Sequence, residues 1–491
     1  MLPLLLANLI AAATAPLLVA RLRRGAPWIL AAAPLGGAGY FLIQAFRGGL
    51  PDIQQSWVWA PQLAVDLALR ADGLSYLFVA LIGLVGGVVV VHAGGYMGRS
   101  EHLGRFFLLL MLFITAMFGL VLADNLWVLF LFWELTSITS YFLIGFKHGT
   151  EYAREAARRA LLTTGGGGLA MLAGFALLQI MGQRAGLTGT DAASISLLTQ
   201  HGPALIADPL YAPALILILL GAFTKSAQMP FHHWLPLAMA GPTPVSALLH
   251  SATMVKAGVY LLARLNPGLG GTDLWFWALV GAGTVTMVGG ALLALSRTDL
   301  KDILAYTTLS ALGTMVLLVG LGSTDAMAAM VVFLTVHALY KSTLFLVAAN
   351  VDHRTGTREL DQLGRLGTGG MLGTAIAAML AALGQAGAPP AMGYAGKKLA
   401  LQAKLGIEGL DAWLIPAAVI ANIAMVALAL ALAWRPFWSR RPASPLAGHP
   451  LHPGMIGGPL LLGAAGVAVG LVPRLFDTSL GSAAATAAAG E

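Results

Sequence analysis

The feature that most constrains this chain is the recurrence of long apolar segments from one end to the other. Such segments are about 20 residues long, the length that a helix needs to cross a bilayer. With 58% hydrophobic residues, 10% charged residues and a mean hydropathy of +0.81, the composition is too apolar for a soluble domain of 491 residues. The sequence therefore predicts an all-α polytopic membrane protein with about 14 transmembrane helices. The predicted spans lie near residues 3–20, 27–46, 74–95, 105–122, 125–146, 160–181, 210–229, 242–264, 274–296, 301–321, 326–350, 369–388, 412–434 and 456–473.

The residue content also restricts the chemistry. The chain has no cysteine, which excludes disulfides, thiolate metal sites and cysteine nucleophiles. It has no phosphate-binding GxxxxGK motif, no dinucleotide fingerprint, no nucleophile elbow and no HxxxH or His/Asp ligand cluster. We therefore expect no enzyme, no cofactor, no metal and no nucleic-acid partner. The first span has no basic stretch before it and no cleavage site after it, so we expect a retained helix and not a signal peptide.

Basic residues in the predicted loops alternate between two sides of the membrane. One side carries 17 of them and the other carries 6. By the positive-inside rule the richer side is cytoplasmic, which predicts that both termini and a lid formed by residues 47–73 lie outside. The richer side comprises Arg21, Arg23, Arg24, Arg99, Arg105, Lys147, Arg154, Arg158, Arg159, Arg297, Lys301, Arg354, Arg358, Arg365, Arg435, Arg440 and Arg441. The poorer side comprises Arg47, Arg70, Arg184, Arg264, Lys404 and Arg474.

The five remaining basic residues fall within or beside predicted spans, and all are lysines: Lys225, Lys256, Lys341, Lys397 and Lys398. A charge at membrane depth costs at least a few kcal/mol, so such residues usually face a bundle interior or a hydrated cavity and lie on ion or proton routes. A buried lysine can load and release a proton, whereas arginine stays charged. The alternative is a lysine near a helix end that extends its ammonium to the membrane surface.

Two predicted helices are interrupted, the seventh and the twelfth. Pro230 follows Lys225 by five residues and cannot donate to a backbone carbonyl, so the seventh helix should break just beyond the lysine, ahead of His232 and His233. The second interruption lies in GQAGAPPAMGYAGKKLALQA, residues 384–403. Broken helices that carry lysine in corresponding places indicate two inverted repeats of a transporter.

Other ionisable residues follow the same pattern. Glu134 is an intramembrane carboxylate whose candidate partner is Lys225, because a nearby ammonium would keep it charged. His337 and Lys341 are four residues apart and share one helix face, where imidazole can pass a proton near neutral pH. A hydrogen-bonded packing role is the alternative for His337.

Three further positions carry open alternatives. His250 is six residues from Lys256, so the two should not share a face, and His250 could instead have a packing role. His232 and His233 lie at the interruption and are either accessory to a proton route or simply interfacial. Asp124 is predicted to lie, solvated, in a tight external turn. The glycine run TTGGGGLA, residues 163–170, indicates close helix packing and not phosphate binding.

Four long motifs resemble the proton-translocating antiporter-like family. They are FWELTSITSYFLIGF, GAFTKSAQMPFHHWLPLAMAGPTPVSALLHSATMVKAGVYLLAR, HALYKSTLFLVA and VDHRTGTREL. That family includes the large subunits of Mrp-type Na+/H+ antiporters, the L, M and N subunits of complex I and the related subunits of membrane-bound hydrogenases. The resemblance covers essentially the whole chain and is strongest to the N-terminal, antiporter-like part of the largest Mrp subunit, which is designated MrpA.

The resemblance implies a hydrated central axis of Lys, His and Glu that is joined to half-channels on each side. By motif, it implies that the fifth-helix glutamate, the lysines of the broken seventh and twelfth helices, and the relays of the eighth helix and the second half are Glu134, Lys225, Lys397, His250 with Lys256, and His337 with Lys341. Relatives commonly have an acidic residue after the twelfth-helix lysine, where this chain has Lys398. Long MrpA chains continue beyond the fourteenth helix, and the lateral helix of the complex I L subunit is not found.

We therefore expect a proton-translocating subunit of a multi-subunit Na+/H+ antiporter in a bacterial inner membrane, with other Mrp-like subunits, H+, Na+ and lipid as partners. The alternatives are a proton-pumping subunit of a redox complex and the membrane subunit of an inorganic-carbon uptake system. The predicted organisation has an N-terminal unit (1–104), a first repeat (105–265), a second inverted repeat (266–434) and a C-terminal helix with its tail (435–491).

Overall fold

The computed structural model describes residues 1–46, 50–60, 62, 65–98, 100–405, 409–439, 441, 444, 446, 450–472 and 477–488. These residues are mostly helical. The helices are α1 (Leu2–Leu22), α2 (Ala26–Phe46), α3 (Gly73–Tyr96), α4 (Leu103–Leu122), α5 (Leu126–Ile144), α6 (Glu151–Arg184), α7 (Ile195–Gln200), α8 (Gly202–Ala207), α9 (Tyr211–Lys225), α10 (Trp234–Leu237), α11 (Thr243–Leu249), α12 (Ala257–Leu269), α13 (Asp273–Leu295), α14 (Leu300–Leu321), α15 (Thr324–Thr355), α16 (Leu372–Ala386), α17 (Gly393–Leu405), α18 (Asp411–Trp438), α19 (Pro453–Leu471) and α20 (Asp477–Ala488).

Length and composition make most of these helices candidates for membrane spans. Among the described residues, twelve helical segments are long and apolar enough to cross a membrane, and Tyr211–Lys225 and Leu372–Ala386 are shorter apolar helices. Each predicted span overlaps one of these segments. The prediction of an all-α membrane protein is therefore confirmed, whereas the number of crossings, the inverted repeats and the four-unit organisation stay predictions.

Polar side chains set the first residue of several helices. Asp72 accepts a hydrogen bond from Ser75 N ahead of α3, and Asn125 accepts from Trp127 N and Val128 N ahead of α5. Such caps satisfy backbone N–H groups that have no partner within their own helix. They place the helix starts within a few residues of the apolar segments that the sequence defines.

Three interruptions divide the helices that carry lysine. α9 ends at Lys225, and the chain turns through residues 226–233 before α10. α16 ends at Ala386, and α17 begins at Gly393. The sequence predicted these two breaks. It did not predict the third, in which residues 250–253 separate α11 from a 3-10 turn at Met254–Lys256 and from α12.

Part of the predicted 47–73 lid forms a β-hairpin. Strand β1 (Ile53–Ala60) pairs antiparallel with β2 (Val65–Ala71), and the register is irregular between Val58 and Ala60. β2 also touches the α4–α5 turn, because Leu69 bridges Ala123. The hairpin is a strand element that the apolar pattern did not indicate, and its external location stays a prediction.

Helix α15 lies at the centre of the bundle. It is 32 residues long, and 94% of its most apolar window is buried. It contacts α3, α11, α14, α16, α17, α19 and α20. By contrast, α6 and α18 leave large apolar side chains such as Leu162 and Ile423 exposed. The bundle therefore buries whatever polar groups α15 carries.

Three basic residues are not where the loop count put them. Arg264, Lys301 and Lys404 are buried, because they lie at helix ends that pack inside the bundle. Their removal from the count leaves the bias of the remaining loop residues in the same direction. Arg47, Arg99, Arg440 and Arg474 lie outside the described residues. The orientation that follows from the positive-inside rule stays a prediction.

Candidate functional site

Lys225 is the last residue of α9 and has no exposed surface. The helix ends there, since Ala227 adopts a left-handed backbone with φ 51°. Lys225 Nζ donates to Trp133 O at 3.0 Å and to Ser137 Oγ at 2.7 Å, and it lies 5.1 Å from the centre of the Trp133 ring. The ammonium is thus held by neutral groups of α5.

Glu134 follows Trp133 on α5 and lies near this ammonium without an ion pair to it. The two groups interact electrostatically, but among the described residues no ion pair within 4.0 Å joins them. Oε1 of Glu134 is buried and has no hydrogen-bond partner there. It lies against Gly168 of α6. The glycine run therefore serves close packing, as the sequence predicted, and leaves room for this carboxyl group.

His250 and Lys256 flank the third break. Lys256 is buried and its Nζ donates to Leu334 O of α15 at 2.9 Å. Both ring nitrogens of His250 are buried without a hydrogen-bond partner among the described residues, and the ring lies 6.2 Å from that of Phe345. Thr253 Oγ1 donates to Leu248 O at 2.6 Å, a local bond that competes with helix formation. The hydroxyls of the HSATMVK stretch were the signal for this break.

His337 and Lys341 lie in the middle of α15, fully buried. Lys341 Nζ donates to Thr307 Oγ1 at 2.6 Å and lies 5.5 Å from the centre of the Tyr340 ring. Both ring nitrogens of His337 lack a hydrogen-bond partner among the described residues, and its imidazole interacts electrostatically with both Lys256 and Lys341. The structure thus brings the three groups into one another's field.

A pair of hydroxyls links the third break to α15. Ser251 Oγ and Ser342 Oγ are 2.7 Å apart, and they are the residues that follow His250 and Lys341. Hydroxyl groups can both donate and accept, so this contact continues the polar route between the two segments.

The lysines of the last break differ from each other. Lys397 is half-buried, and its Nζ donates to Ala386 O at 3.1 Å, the last carbonyl of α16. It lies in the second half-helix, whereas Lys225 ends the first half of its own interrupted helix. Lys398 is exposed. The two lysines of this pair therefore point to different environments.

The histidines at the first break lie near the surface. His233 is exposed and His232 is half-buried, with their ring centres 4.1 Å apart. Nδ1 of His232 is enclosed and has no hydrogen-bond partner among the described residues. Their predicted accessory role is compatible with either side of the alternative.

Lys301 and Lys404 are buried amines that the sequence analysis assigned to loops. Lys301 Nζ donates to Met239 O at 2.5 Å and to Gly241 O at 2.8 Å, and it interacts electrostatically with His250. Lys404 Nζ lies 4.0 Å from Met287 Sδ. Both residues are at the ends of apolar segments, where hydropathy does not distinguish burial from exposure.

At the other end of the bundle, Arg264 forms a buried ion pair with Asp72. Burial alone would raise the pKa of Asp72, but the charge and hydrogen bonds of Arg264 and the Ser75 N–H lower it to about 2. The prediction that Asp124 is solvated is wrong. Its side chain is buried and accepts from Ser196 N at 3.0 Å and from Ser196 Oγ at 2.6 Å, and burial raises its pKa.

These contacts define the chemistry that the site can perform. Lys225, Lys256 and Lys341 are buried in protein and do not face lipid. Their described partners are carbonyl and hydroxyl oxygens. In the described part of the chain no group of three or more His, Asp or Glu residues could hold a metal ion. The site is suited to the transfer of protons between amines and imidazoles.

Two family profiles match the chain. The profile described as NADH:quinone oxidoreductase/Mrp antiporter, TM, matches residues 123–424, and the profile described as NADH-Ubiquinone oxidoreductase (complex I), chain 5 N-terminus, matches residues 57–107. The first match contains Glu134, both predicted helix breaks and all the lysines of the site.

Two curated relatives are longer than this chain. A probable K(+)/H(+) antiporter protein of Rhizobium meliloti, of the A/B type, is 45% identical over 389 residues, which are 78% of this chain and 38% of that protein. The A-type protein of the Na(+)/H(+) antiporter of Alkalihalophilus pseudofirmus is 38% identical over 477 residues, 91% of this chain and 58% of that protein. The chain thus spans about half the length of these relatives.

Two solved structures have the same fold. A chain of the Mrp complex from Dietzia sp. DQ12-45-1b is 37% identical, with a TM-score of 0.88, and the match covers 99% of this chain and 51% of that one. A chain of the membrane-bound sulfane sulfur reductase, an archaeal respiratory membrane complex, has a TM-score of 0.82 over 99% of this chain and 97% of that one. At 21% identity the second likeness concerns the fold alone.

Proposed function

We propose, because this chain belongs to the NADH:quinone oxidoreductase/Mrp antiporter transmembrane family, that it translocates protons within a multi-subunit monovalent cation/proton antiporter. Na+ is the exchanged cation of this proposal, and K+ is the alternative, since the relatives carry both names. The proton route is the relay row, which we define as Glu134, Lys225, His250, Lys256, His337, Lys341 and Lys397.

The observation that carries the proposal is the bonding of the three fully buried lysines. Lys225, Lys256 and Lys341 donate to neutral oxygens, and no described ion pair includes them. A carboxylate partner would hold a buried ammonium in its charged form. Neutral oxygens accept from an ammonium and also from an uncharged amine, so these sites suit groups that gain and lose protons.

The two imidazoles supply the steps between the amines. His250 and His337 have both ring nitrogens free of hydrogen bonds among the described residues. A neutral imidazole accepts a proton at one nitrogen and releases one from the other, which makes histidine suited to a shuttle. Water or the Ser251–Ser342 hydroxyl pair would bridge the remaining gaps.

Glu134 and Lys225 provide a place where the row can sense a second charge. Their electrostatic interaction changes whenever either group gains or loses a proton. A proton that arrives elsewhere on the row therefore alters the balance of this pair. In the proposed organisation, residues 105–265 and 266–434 form two inverted halves around the row, with both termini on the outer side of a bacterial inner membrane.

Partners complete the proposal. The structural relative is a chain of an Mrp complex, and this chain covers about half of it. We therefore expect other membrane subunits to supply the cation route. The family description also includes NADH:quinone oxidoreductase, which keeps a proton-pumping subunit of a redox complex as the second candidate function.

Purification of the complex through a tag on this chain separates these functions. Several small membrane subunits support the antiporter, iron–sulfur proteins favour the redox complex, and one large zinc protein favours inorganic-carbon uptake. The purified assembly also serves as the folding control for the variants below.

Replacement of the first lysine tests the proton route. We expect Lys225→Ala and Glu134→Ala to lower Na+-induced or K+-induced pH changes in everted vesicles by at least about tenfold, because proton relays contribute that much or more. Exposed Lys147 and Glu101 provide matched controls, and Lys147→Ala and Glu101→Ala should retain exchange. Exchange at the wild-type rate in a correctly assembled Lys225→Ala complex would overturn the proposal.

A further inference from the structure

A polar cavity lies between α13 and α18, next to the last part of the relay row. Tyr340 lines it, and the Lys341 ammonium lies over the ring of this tyrosine. The polar lining also includes Lys397, Lys404, Gln385 and Asn422. The cavity therefore adjoins Lys341 and Lys397 and extends to a lysine that the relay row does not contain.

The cavity is large enough for water. About 30 Å³ of it is open to the centres of water molecules. A buried water requires roughly 10–15 Å³ by this measure, together with two to four polar partners, so about two waters fit. The lining supplies the polar partners.

Two groups at the cavity are short of hydrogen bonds. Lys404 is 3% exposed, and its only hydrogen-bond partner among the described residues is the sulfur of Met287 at 4.0 Å, a weak acceptor. Oε1 of Gln385 is buried without a described partner. Buried polar atoms are nearly always satisfied by protein or by ordered water. Water in the cavity would satisfy both groups.

The spacing along α17 directs one helix face into the cavity. Lys397, Ala400, Leu401 and Lys404 all line it, and they are related by the i, i+3, i+4 and i+7 spacing of a single face. Lys404 lies about 10 Å along the helix from Lys397 at 1.5 Å per residue. Lys398 is exposed and does not belong to this face.

We propose that Lys404 is a further proton carrier, which receives the proton from Lys397 through the water of this cavity and delivers it toward the membrane side at which α17 ends. One N–H bond of the Lys397 ammonium breaks, the water passes the proton on, and one N–H bond forms on the Lys404 amine. Lys397 becomes a neutral amine and Lys404 an ammonium, so charge is conserved. This inference rests on the proposed function, and it gives the second half an exit that does not use Lys398.

Substitutions of Lys404 distinguish a carrier from a packing residue. In the assembled complex, a carrier role predicts that Lys404→Met and Lys404→Arg lower cation-induced proton movement by at least about tenfold, because neither side chain exchanges a proton. Lys404→His should retain exchange with an optimum shifted to lower pH, because imidazole titrates near pH 6.5. Gln402→Met, at an exposed position of α17, is the matched control and should match the wild type.

Each other outcome overturns one proposal and not the other. Wild-type exchange in Lys404→Met, or loss in Lys404→His as complete as in Lys404→Met, removes the carrier role, while inactive Lys225→Ala leaves the proposed function standing. Since the chain has no cysteine, Lys404→Cys also reports hydration directly. A small cationic thiol reagent should label it in the full complex, whereas Ala377→Cys, buried away from the cavity, should resist. Equal resistance at both positions would contradict a wet cavity.

Discussion

At the scale of single residues, the partner of each buried charge separates function from structure. Arg264 is buried against the carboxylate of Asp72, and such a pair stays charged. Lys225 and Lys256 are buried against neutral oxygens. The sequence predicted which lysines enter the bundle but misassigned Lys301 and Lys404, because hydropathy at the end of a span does not reveal which side chains pack inward.

The Arg264–Asp72 pair makes a stability prediction. Asp72→Asn leaves a buried guanidinium without its carboxylate, so we expect the free energy of unfolding to fall by about 3–5 kcal/mol. Because the folded-state pKa of Asp72 is lowered, its contribution is full above the ordinary carboxyl pKa and is lost as the pH falls through about 2. The melting temperature of the purified protein at neutral pH measures the loss. Asp66→Asn, on the same hairpin, is the control, and equal melting temperatures for the two variants would contradict the prediction.

At the scale of helices, the breaks position the lysines and histidines. Proline made the interruptions after α9 and α16 predictable from the sequence. The interruption between α11 and α12 contains no proline, and the side-chain bond from Thr253 to Leu248 O accompanies it instead. Such a bond depends on the packing of neighbouring helices, so the sequence pattern alone did not reveal it. The hairpin of residues 53–71 was missed for a similar reason, since its strands do not alternate cleanly.

The packing of α6 on α5 yields a second prediction at this scale. A Cβ at Gly168 would meet Oε1 of Glu134, whereas a Cβ at Gly166 would meet no atom within 4 Å. We expect Gly168→Ala to displace the carboxyl group and to lower exchange severalfold, with Gly166→Ala close to the wild type. Exchange rates in vesicles with equal amounts of assembled complex measure this. Equal rates for the two variants would show that the position of Glu134 is not set by this contact.

At the scale of the whole molecule, one buried helix organises the relay row. α15 contributes His337 and Lys341, receives Lys256 at Leu334 O, and meets the third break at Ser342. The family motifs predicted this assembly, and the span pattern predicted most helix bounds. The chain spans about half the length of its longer relatives, so the exchanged cation and its route depend on partner subunits.

The most direct measurement of the central claim is proton movement in proteoliposomes that contain the assembled complex with Lys256 replaced. Lys256 lies in the middle of the row, and no described carboxylate pairs with it. The account predicts that Lys256→Met and Lys256→Arg both lose proton movement by at least about tenfold, because a guanidinium does not release its proton, while Lys147→Met retains it. Wild-type proton movement in Lys256→Met, at equal assembly, would contradict a relay through these buried amines.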